Sequence, residues 1–301
     1  MSKISAVINT RDAAKTLDSC LSSLKFVDEI IVVDMYSHDE TVKIAHQHGA
    51  KLYFHQPLEY VEPARNFAIS KAKHEWVLIV DPDEVIPPKL ADKILELIEQ
   101  KKPDVVGYRI PRKNMIFDAW INAAGWWPDY QLRLILAKAV KWSDKIHAQP
   151  RVKRGTVLEI PAKDTLAIHH FNYLSIDDYL SKMVRYTQIE AAQRPLPTKL
   201  DTRAIWQSFS QEFVRRLFAQ KGYKANRHGL ALALLQAHYE LVVTLRQWEQ
   251  QGFPQSKHDQ TQIMSHIWQF KREINYWYCS YQLENAKGLK KWFWRVRRII
   301  G

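Results

Sequence analysis

Short β-branched runs alternate with amphipathic stretches through the first third of this 301-residue chain, and that rhythm admits few folds. Ile4–Ile8 reads as a buried strand, and Leu17, Cys20, Leu21 and Leu24 recur after it at helical spacing. Ile30–Val33 is a second strand, ending at Asp34; Thr41–His48 reads as a helix and Lys51–Phe54 as a short strand. Pro63 suits the first turn of a helix through Ala72, where its missing N–H would have had no partner. Trp76–Val80 is a strand running directly into Asp81, and Leu90–Ile98 is helical. Strands and helices in this order predict an α/β fold, an open and mostly parallel sheet with helices on both faces.

Past that region the pattern changes. Val105–Pro111, Gln131–Leu136 and Val157–Ile160 read as further strands, with an aromatic, loop-like stretch at Trp120–Trp127. From Ser175 the period turns helical, with Ile176, Tyr179, Leu180 and Met183 on one stripe and a break at Arg194–Pro197. The expected division is therefore 1–174 and 175–301, the second part a helical C-terminal region. Gly229–Leu245 is strongly apolar but carries Gln236, His238 and Glu240. A bilayer span needs about 20 mostly apolar residues, so this stretch is expected to pack, or at most to dip into a membrane.

Cys20 and Cys279 are the only cysteines, which excludes a disulfide framework and a cysteine-built zinc site. The N-terminus enters a strand without the apolar core of a signal peptide, so a cytoplasmic protein is the expectation. The net charge of +12 leaves nucleic acid, an anionic membrane and a phosphorylated substrate open as partners. Lys287, Lys290, Lys291, Arg295, Arg297 and Arg298 crowd into the last fifteen residues with no acid among them. The basic excess is thus local. A nucleic-acid-binding protein would interleave basic and aromatic residues along one face of the fold, so nucleic acid is not the expected partner.

In open α/β sheets, ligands bind beyond the carboxyl ends of the strands. Two strands here end in carboxylates, Asp34 and Asp81, and Asp83 and Glu84 follow within the same turn. Like charges so close raise one another's pKa unless a cation neutralises them. Mg²⁺ or Mn²⁺, with oxygen ligands, would do so while bridging a diphosphate. The same acids would also suit the start of a helix near Pro87.

The segment Val32-Val33-Asp34-Met35-Tyr36-Ser37-His38-Asp39-Glu40-Thr41 resembles the nucleotide-binding segment of family-2 glycosyltransferases, and Asp81-Pro82-Asp83-Glu84 resembles their D-x-D element. Pro63-Ala64-Arg65-Asn66 lies between the two, as the family's Arg/Asn-bearing helix does, and Ile8-Asn9-Thr10-Arg11-Asp12 stands at the first strand end. The likeness covers roughly residues 1–115 and leans towards the bacterial branch that builds lipopolysaccharide core and other envelope glycans. It implies a GT-A-like fold and an inverting, metal-dependent transfer of a sugar from a nucleotide-sugar donor, UDP-hexose favoured, onto a lipid-linked or lipopolysaccharide-type acceptor. Pro82 stands where the family usually has a small residue.

The resemblance also implies roles. Thr10 and Arg11 would help cup the nucleobase, Asp34 would bond it, and Ser37 belongs to the same turn. Arg65 would contact donor phosphates, Asp81 the ribose or the metal, and Asp83 would be the principal metal ligand. His169-His170-Phe171-Asn172-Tyr173 resembles the element that closes the donor site after the last strand, with His170 approaching the metal. An inverting transfer needs a base to deprotonate the acceptor hydroxyl. Gly125-Trp126-Trp127-Pro128-Asp129-Tyr130-Gln131-Leu132-Arg133-Leu134 resembles the acceptor-side motif, offering Trp126 and Trp127 as faces for sugar rings and Asp129 as the catalytic base. Asp118 and Asp144 are weaker candidates, and His147 is followed by Ala148 where an acid is usual.

At the C-terminus Leu289, Trp292, Phe293, Val296, Ile299 and Ile300 follow helical spacing, with the basic residues elsewhere on the wheel. Such a helix suits the headgroup region of an anionic membrane, which would hold the protein peripherally at the inner face of the cell membrane. It equally describes a helix docked on its own domain. The competing enzyme class, a nucleotidyltransferase, calls for a Gly-rich basic loop after the first strand, and Asn9–Ala14 has no glycine.

Overall fold

A computed structural model of the chain describes residues 2–58, 62–100, 102–142, 150–197, 200–255 and 259–300. They form two compact units, one of residues 1–122 and 126–176, the other of residues 123–125 and 177–301. The first unit runs β1 (Ile4–Thr10), α1 (Ala14–Ser22), β2 (Glu29–Asp34), α2 (Thr41–Gln47), β3 (Lys51–Phe54), α3 (Glu62–Ser70), β4 (Trp76–Val80), β5 (Glu84–Val85) and α4 (Pro88–Glu99). It continues with β6 (Val105–Ile116), β7 (Ala119–Trp120), β8 (Asp129–Leu136), β9 (Val140–Lys141), β10 (Arg151–Val152), β11 (Thr156–Glu159) and β12 (Ile168–Tyr173).

The main sheet has the order β3-β2-β1-β4-β8-β6-β12-β5, with β7 and β11 also on β6, while β9 and β10 pair with each other. The β3-β2-β1-β4 half is parallel, as the βαβα rhythm predicts. Beyond it β8 runs antiparallel to both β4 and β6, and β12 runs parallel to β6. Period-two alternation sorts the strands onto two faces. Ile4, Ala6, Ile8, Val32, Leu78 and Val80 pack with Leu17, Leu21, Leu90 and Ile94 of α1 and α4. Val7, Ile31, Val33, Val77 and Ile79 pack with Ala68 and Ile69 of α3 on the other.

The connection after β4 positions the site. β4 neighbours β8, yet the next strand, β5, pairs antiparallel with β12. The turn Asp81–Asp83 therefore carries its acids across the ends of β8 and β6. Pairing on either side sets Glu84 opposite His170, His170 opposite Asn114, and Arg112 opposite Asp129.

The second unit is helical: α5 (Ile176–Gln193), α6 (Thr202–Val214), a π-helical turn Arg215–Ala219, α7 (Asn226–Gln250), α8 (Asp259–Asn285) and α9 (Leu289–Ile300). Polar contacts bolt the helices together, with Arg194 bridging Glu190 and Glu240 at 2.6 and 2.9 Å. No helix among the described residues is long and apolar enough to cross a membrane. On α9, Trp294 packs edge-on against Tyr278 of α8 and the Arg298 guanidinium lies over Tyr276. Leu289, Trp292, Phe293 and Ile299, on the opposite side of the helix, are exposed.

Candidate functional site

Two loops at the carboxyl end of the parallel strands lace together through side-chain hydrogen bonds. The Ser37 hydroxyl donates to Asp34 Oδ1 at 2.5 Å and accepts the Asp12 N–H at 2.8 Å, while the Ser37 N–H donates to Asp34 Oδ2 at 2.8 Å. Asp39 accepts the N–H groups of Ala14 and Thr41, both at 3.0 Å, and so satisfies the first turns of α1 and α2, neither of which has a capping side chain of its own. Asp12 and Tyr36 hold left-handed φ values of 49° and 56° in these loops, strain typical of ligand-binding turns. Asp34 is 0% exposed and accepts from Ser37 on both oxygens, which shapes the turn. Thr10, beside Asp34 in the sheet, has a buried hydroxyl oxygen with no partner among the described residues, whereas Arg11 is exposed and lies 3.8 Å from Asp12. Tyr36, which the sequence did not single out, is exposed and stacks on Phe54 at 5.5 Å between centroids.

The acidic crossing is neutralised largely by arginines. Arg65 Nη2 donates to Asp81 Oδ1 at 2.8 Å, and Arg133 Nη2 donates to Asp81 Oδ2 and, at 2.5 Å, to Glu84 Oε1. Arg112 lies 3.6 Å from the same Glu84 oxygen and donates to Asp129 Oδ2 at 2.6 Å. Burial alone would raise the Asp81 pKa, but the guanidiniums of Arg133 and Arg65 outweigh it and hold the carboxyl well below its usual range. Both Asp81 oxygens accept from guanidiniums, and Arg65, 8% exposed, supplies one of those bonds.

Asp83 differs from its neighbours in the turn: its Oδ2 faces His170 Nε2 at 3.6 Å. The expected pair of metal ligands is thus brought together, although His170 lies within the last strand, β12, and not after it. His170 Nδ1 bonds Asn114 Oδ1 at 2.6 Å, and the Asn114 amide nitrogen donates to Trp126 O at 3.0 Å and Asp129 Oδ2 at 3.1 Å. A carboxylate and a neutral imidazole nitrogen suit a divalent ion, whose adjacent octahedral ligands stand about 3 Å apart at ~2.1 Å bond lengths. The donor set fits the implied Mg²⁺ or Mn²⁺. No cluster of three or more acidic, histidine or cysteine ligands occurs among the described residues. The His169 pKa is lowered by burial and by Lys113.

Asp129, the expected base, accepts from Arg112, Asn114 and, at 2.8 Å on Oδ1, Gln131. Burial opposes ionisation, but Arg112 and these hydrogen bonds prevail and lower its pKa. The same bonds tie β8 to β6 beside the segment beginning at Trp126. Trp127 packs edge-on against Trp120 at 5.4 Å and Trp126 against Tyr173 at 6.4 Å, both half-buried. Asp118 sits on the β6–β7 turn with φ 61°; Asp144 and His147 lie outside the described residues. Sequence reading missed Arg112, Asn114 and the role of Arg133. Arg133 carried a signal, since a charge inside the strand run Leu132–Leu136 must find a partner once buried.

Residues 5–154 match the family described as Glycosyl transferase family 2. A protein of Rickettsia felis named as an uncharacterized glycosyltransferase is 28% identical over 72% of this chain and 81% of its own length. The lipopolysaccharide core biosynthesis glycosyltransferase LpsC of Rhizobium meliloti is 25% identical over 65% of this chain and 76% of its own. Among solved structures, glucosyl-3-phosphoglycerate synthase of Mycobacterium tuberculosis, in complex with Mn²⁺ and UDP-glucose, is 20% identical with a TM-score of 0.32, covering 36% of this chain and 43% of that one.

Proposed function

Residues 5–154 are a glycosyl transferase family 2 domain of GT-A fold, and from that premise we propose that the chain transfers a hexose from a UDP-sugar, with inversion, onto a lipid-linked or lipopolysaccharide-type acceptor. The observation that carries this reading is the meeting of Asp83 with His170, Oδ2 to Nε2 at 3.6 Å, beside the arginine-held carboxylates of Asp81 and Glu84. Asp83 and His170 would hold Mg²⁺ or Mn²⁺, which when bound supplies positive charge to a donor diphosphate. Thr10, Tyr36 and the Asp34–Ser37 turn would receive the nucleoside, with Asp34 acting through the turn. Trp126 and Trp127 would face the acceptor sugar. The likeness to LpsC supports an envelope-glycan acceptor.

The same reading places the enzyme peripherally at the inner, cytoplasmic face of the membrane. Leu289 is 89% exposed and Ile299 81%, on a helix whose opposite side is already occupied by α8. The residues from Lys287 onward carry six basic groups and no acid, which complements an anionic bilayer.

A thermal-shift screen of nucleoside diphosphates with and without Mn²⁺ tests the donor site. UDP with Mn²⁺ should raise the melting temperature selectively, and Asp83→Ala should abolish the metal-dependent part of that shift. A shift that survives the substitution unchanged refutes the metal assignment.

A further inference from the structure

We propose that Asn114 is a positioning residue: it fixes the tautomer of His170 so that Nε2 presents its lone pair to the metal position beside Asp83, and it ties that orientation to the acceptor-side segment. The Asn114 amide has no freedom to flip. Asn114 is 0% exposed and sits on β6 directly opposite His170 on β12. Its nitrogen faces two acceptors, Trp126 O at 3.0 Å and Asp129 Oδ2 at 3.1 Å. Neither can donate, so the side-chain nitrogen must occupy that side and the oxygen must face His170. At 2.6 Å from Asn114 Oδ1, the His170 Nδ1 is then obliged to carry the hydrogen. A neutral imidazole has one N–H, so Nε2 is left with its lone pair, 3.6 Å from Asp83 Oδ2.

The second half of the chain of bonds leads away from the metal position. Trp126 belongs to the segment proposed to meet the acceptor, and Asp129 anchors that segment to Arg112. One buried amide therefore joins the metal-facing histidine to the acceptor side. Outer partners of this kind hold a ligand's ring orientation, and their removal costs about 10–100-fold in metal affinity.

The inference rests on the proposed metal site, so one measurement is made without metal. Long-range ¹⁵N–¹H spectra of metal-free protein labelled at its 12 histidines, with His170→Gln identifying the signal, report the tautomer directly. The neutral wild-type His170 should be the Nδ1–H form, and Asn114→Leu should release it to Nε2–H. Mn²⁺ titrations followed by electron paramagnetic resonance with UDP present should show Asn114→Leu weakening Mn²⁺ by at least about 10-fold. Asn114→Asp keeps an oxygen for Nδ1–H and, buried beside Asp129, shares a proton with it. It should keep the Nδ1–H tautomer and hold Mn²⁺ no more weakly than wild type, and it decides the matter if the Leu variant fails to fold. An Nε2–H wild-type ring, or unaltered Mn²⁺ binding in a folded Asn114→Leu protein, overturns the role of Asn114. Wild-type protein that shows the Nδ1–H tautomer but binds no Mn²⁺ with UDP overturns the metal reading instead, and with it the functional half of the proposal.

Discussion

Replacing Arg133 with Met should destabilise the first unit far more than an ordinary surface charge change. The Arg133 side chain is 5% exposed, and it contacts Asp81 and the fully buried Glu84 through one guanidinium nitrogen. Met matches its apolar stem but leaves two carboxylates without their shared cation. Breaking a buried pair by removing one partner costs about 3–5 kcal/mol. Arg65 at 2.8 Å from Asp81 and Arg112 at 3.6 Å from Glu84 remain, which puts the expected loss near the lower end, about 3 kcal/mol. For a unit of this size each kcal/mol moves the midpoint by roughly 2–4 °C, so the melting temperature should fall by about 6–12 °C. The assay is thermal unfolding by circular dichroism, for wild type, Arg133→Met, Glu84→Gln and the double variant. Glu84→Gln removes one orphaned charge, so the double variant should recover part of the loss, a coupling that a cycle measures directly. The difference also depends on pH. Asp81 is held below its unfolded pKa of about 3.9, so its ion pairs stabilise the native state fully above that pH. That contribution is lost as pH falls and the unfolded chain takes up the proton first. The gap between wild type and Arg133→Met should therefore be largest near neutrality and shrink below about pH 4. A variant melting within about 2 °C of wild type at pH 7 would refute the argument.

Asp129→Asn should lower the melting temperature and raise acceptor KM, since it strips Arg112 of its counter-charge, with kcat falling by less than the ~10²-fold typical of a lost general base. A loss of kcat beyond that, at unchanged stability, would return Asp129 to the role of base. Deleting residues 286–301 should release the protein from anionic vesicles without altering nucleotide binding. The six basic residues, at roughly 1 kcal/mol each near an anionic surface, should make binding of the intact chain fall steeply with added salt. Equal vesicle binding by the truncated chain would sink that assignment.

The parts of the fold legible in the sequence are those fixed by local pattern. β2 and β4 announce themselves as apolar runs ending in aspartate, and α4 as a stripe of Leu90, Ile94, Leu97 and Ile98 opening at a proline. β12 does not, because Ile168-His169-His170-Phe171-Asn172-Tyr173 has neither a β-branched run nor clean alternation. It is a strand because β6 and β5 pair with it on either side. Trp120, read as the start of a loop, pairs with Met115 of β6 for the same reason. The candidate site residues follow the same division. Motif likeness singles out Asp83 and His170, which lie 3.6 Å apart. Asn114, Arg112 and Arg133 acquire meaning only from register, which decides that Asn114 faces His170 and Arg112 faces Asp129.

That division changes the electrostatic argument for the acidic turn. Read along the chain, Asp81, Asp83 and Glu84 look like a concentration of negative charge that only an added cation could relieve. Across the sheet, Asp81, Asp83, Glu84 and Asp129 are four carboxylates, and Arg65, Arg112 and Arg133 are three guanidiniums interleaved with them. The three guanidiniums offset three of the four charges, and Asp83 Oδ2 lies 3.6 Å from His170 Nε2. A divalent ion over one net charge and one imidazole is weakly held until a diphosphate adds its own oxygens and charge. That is the physical reason the Mn²⁺ titrations need UDP present, and the reason Asp81→Asn should disturb folding where Asp83→Asn disturbs metal-supported nucleotide binding. Asp81 is held by Arg65 and Arg133 and Asp83 lies beside His170, so the two substitutions separate stability from metal-supported binding.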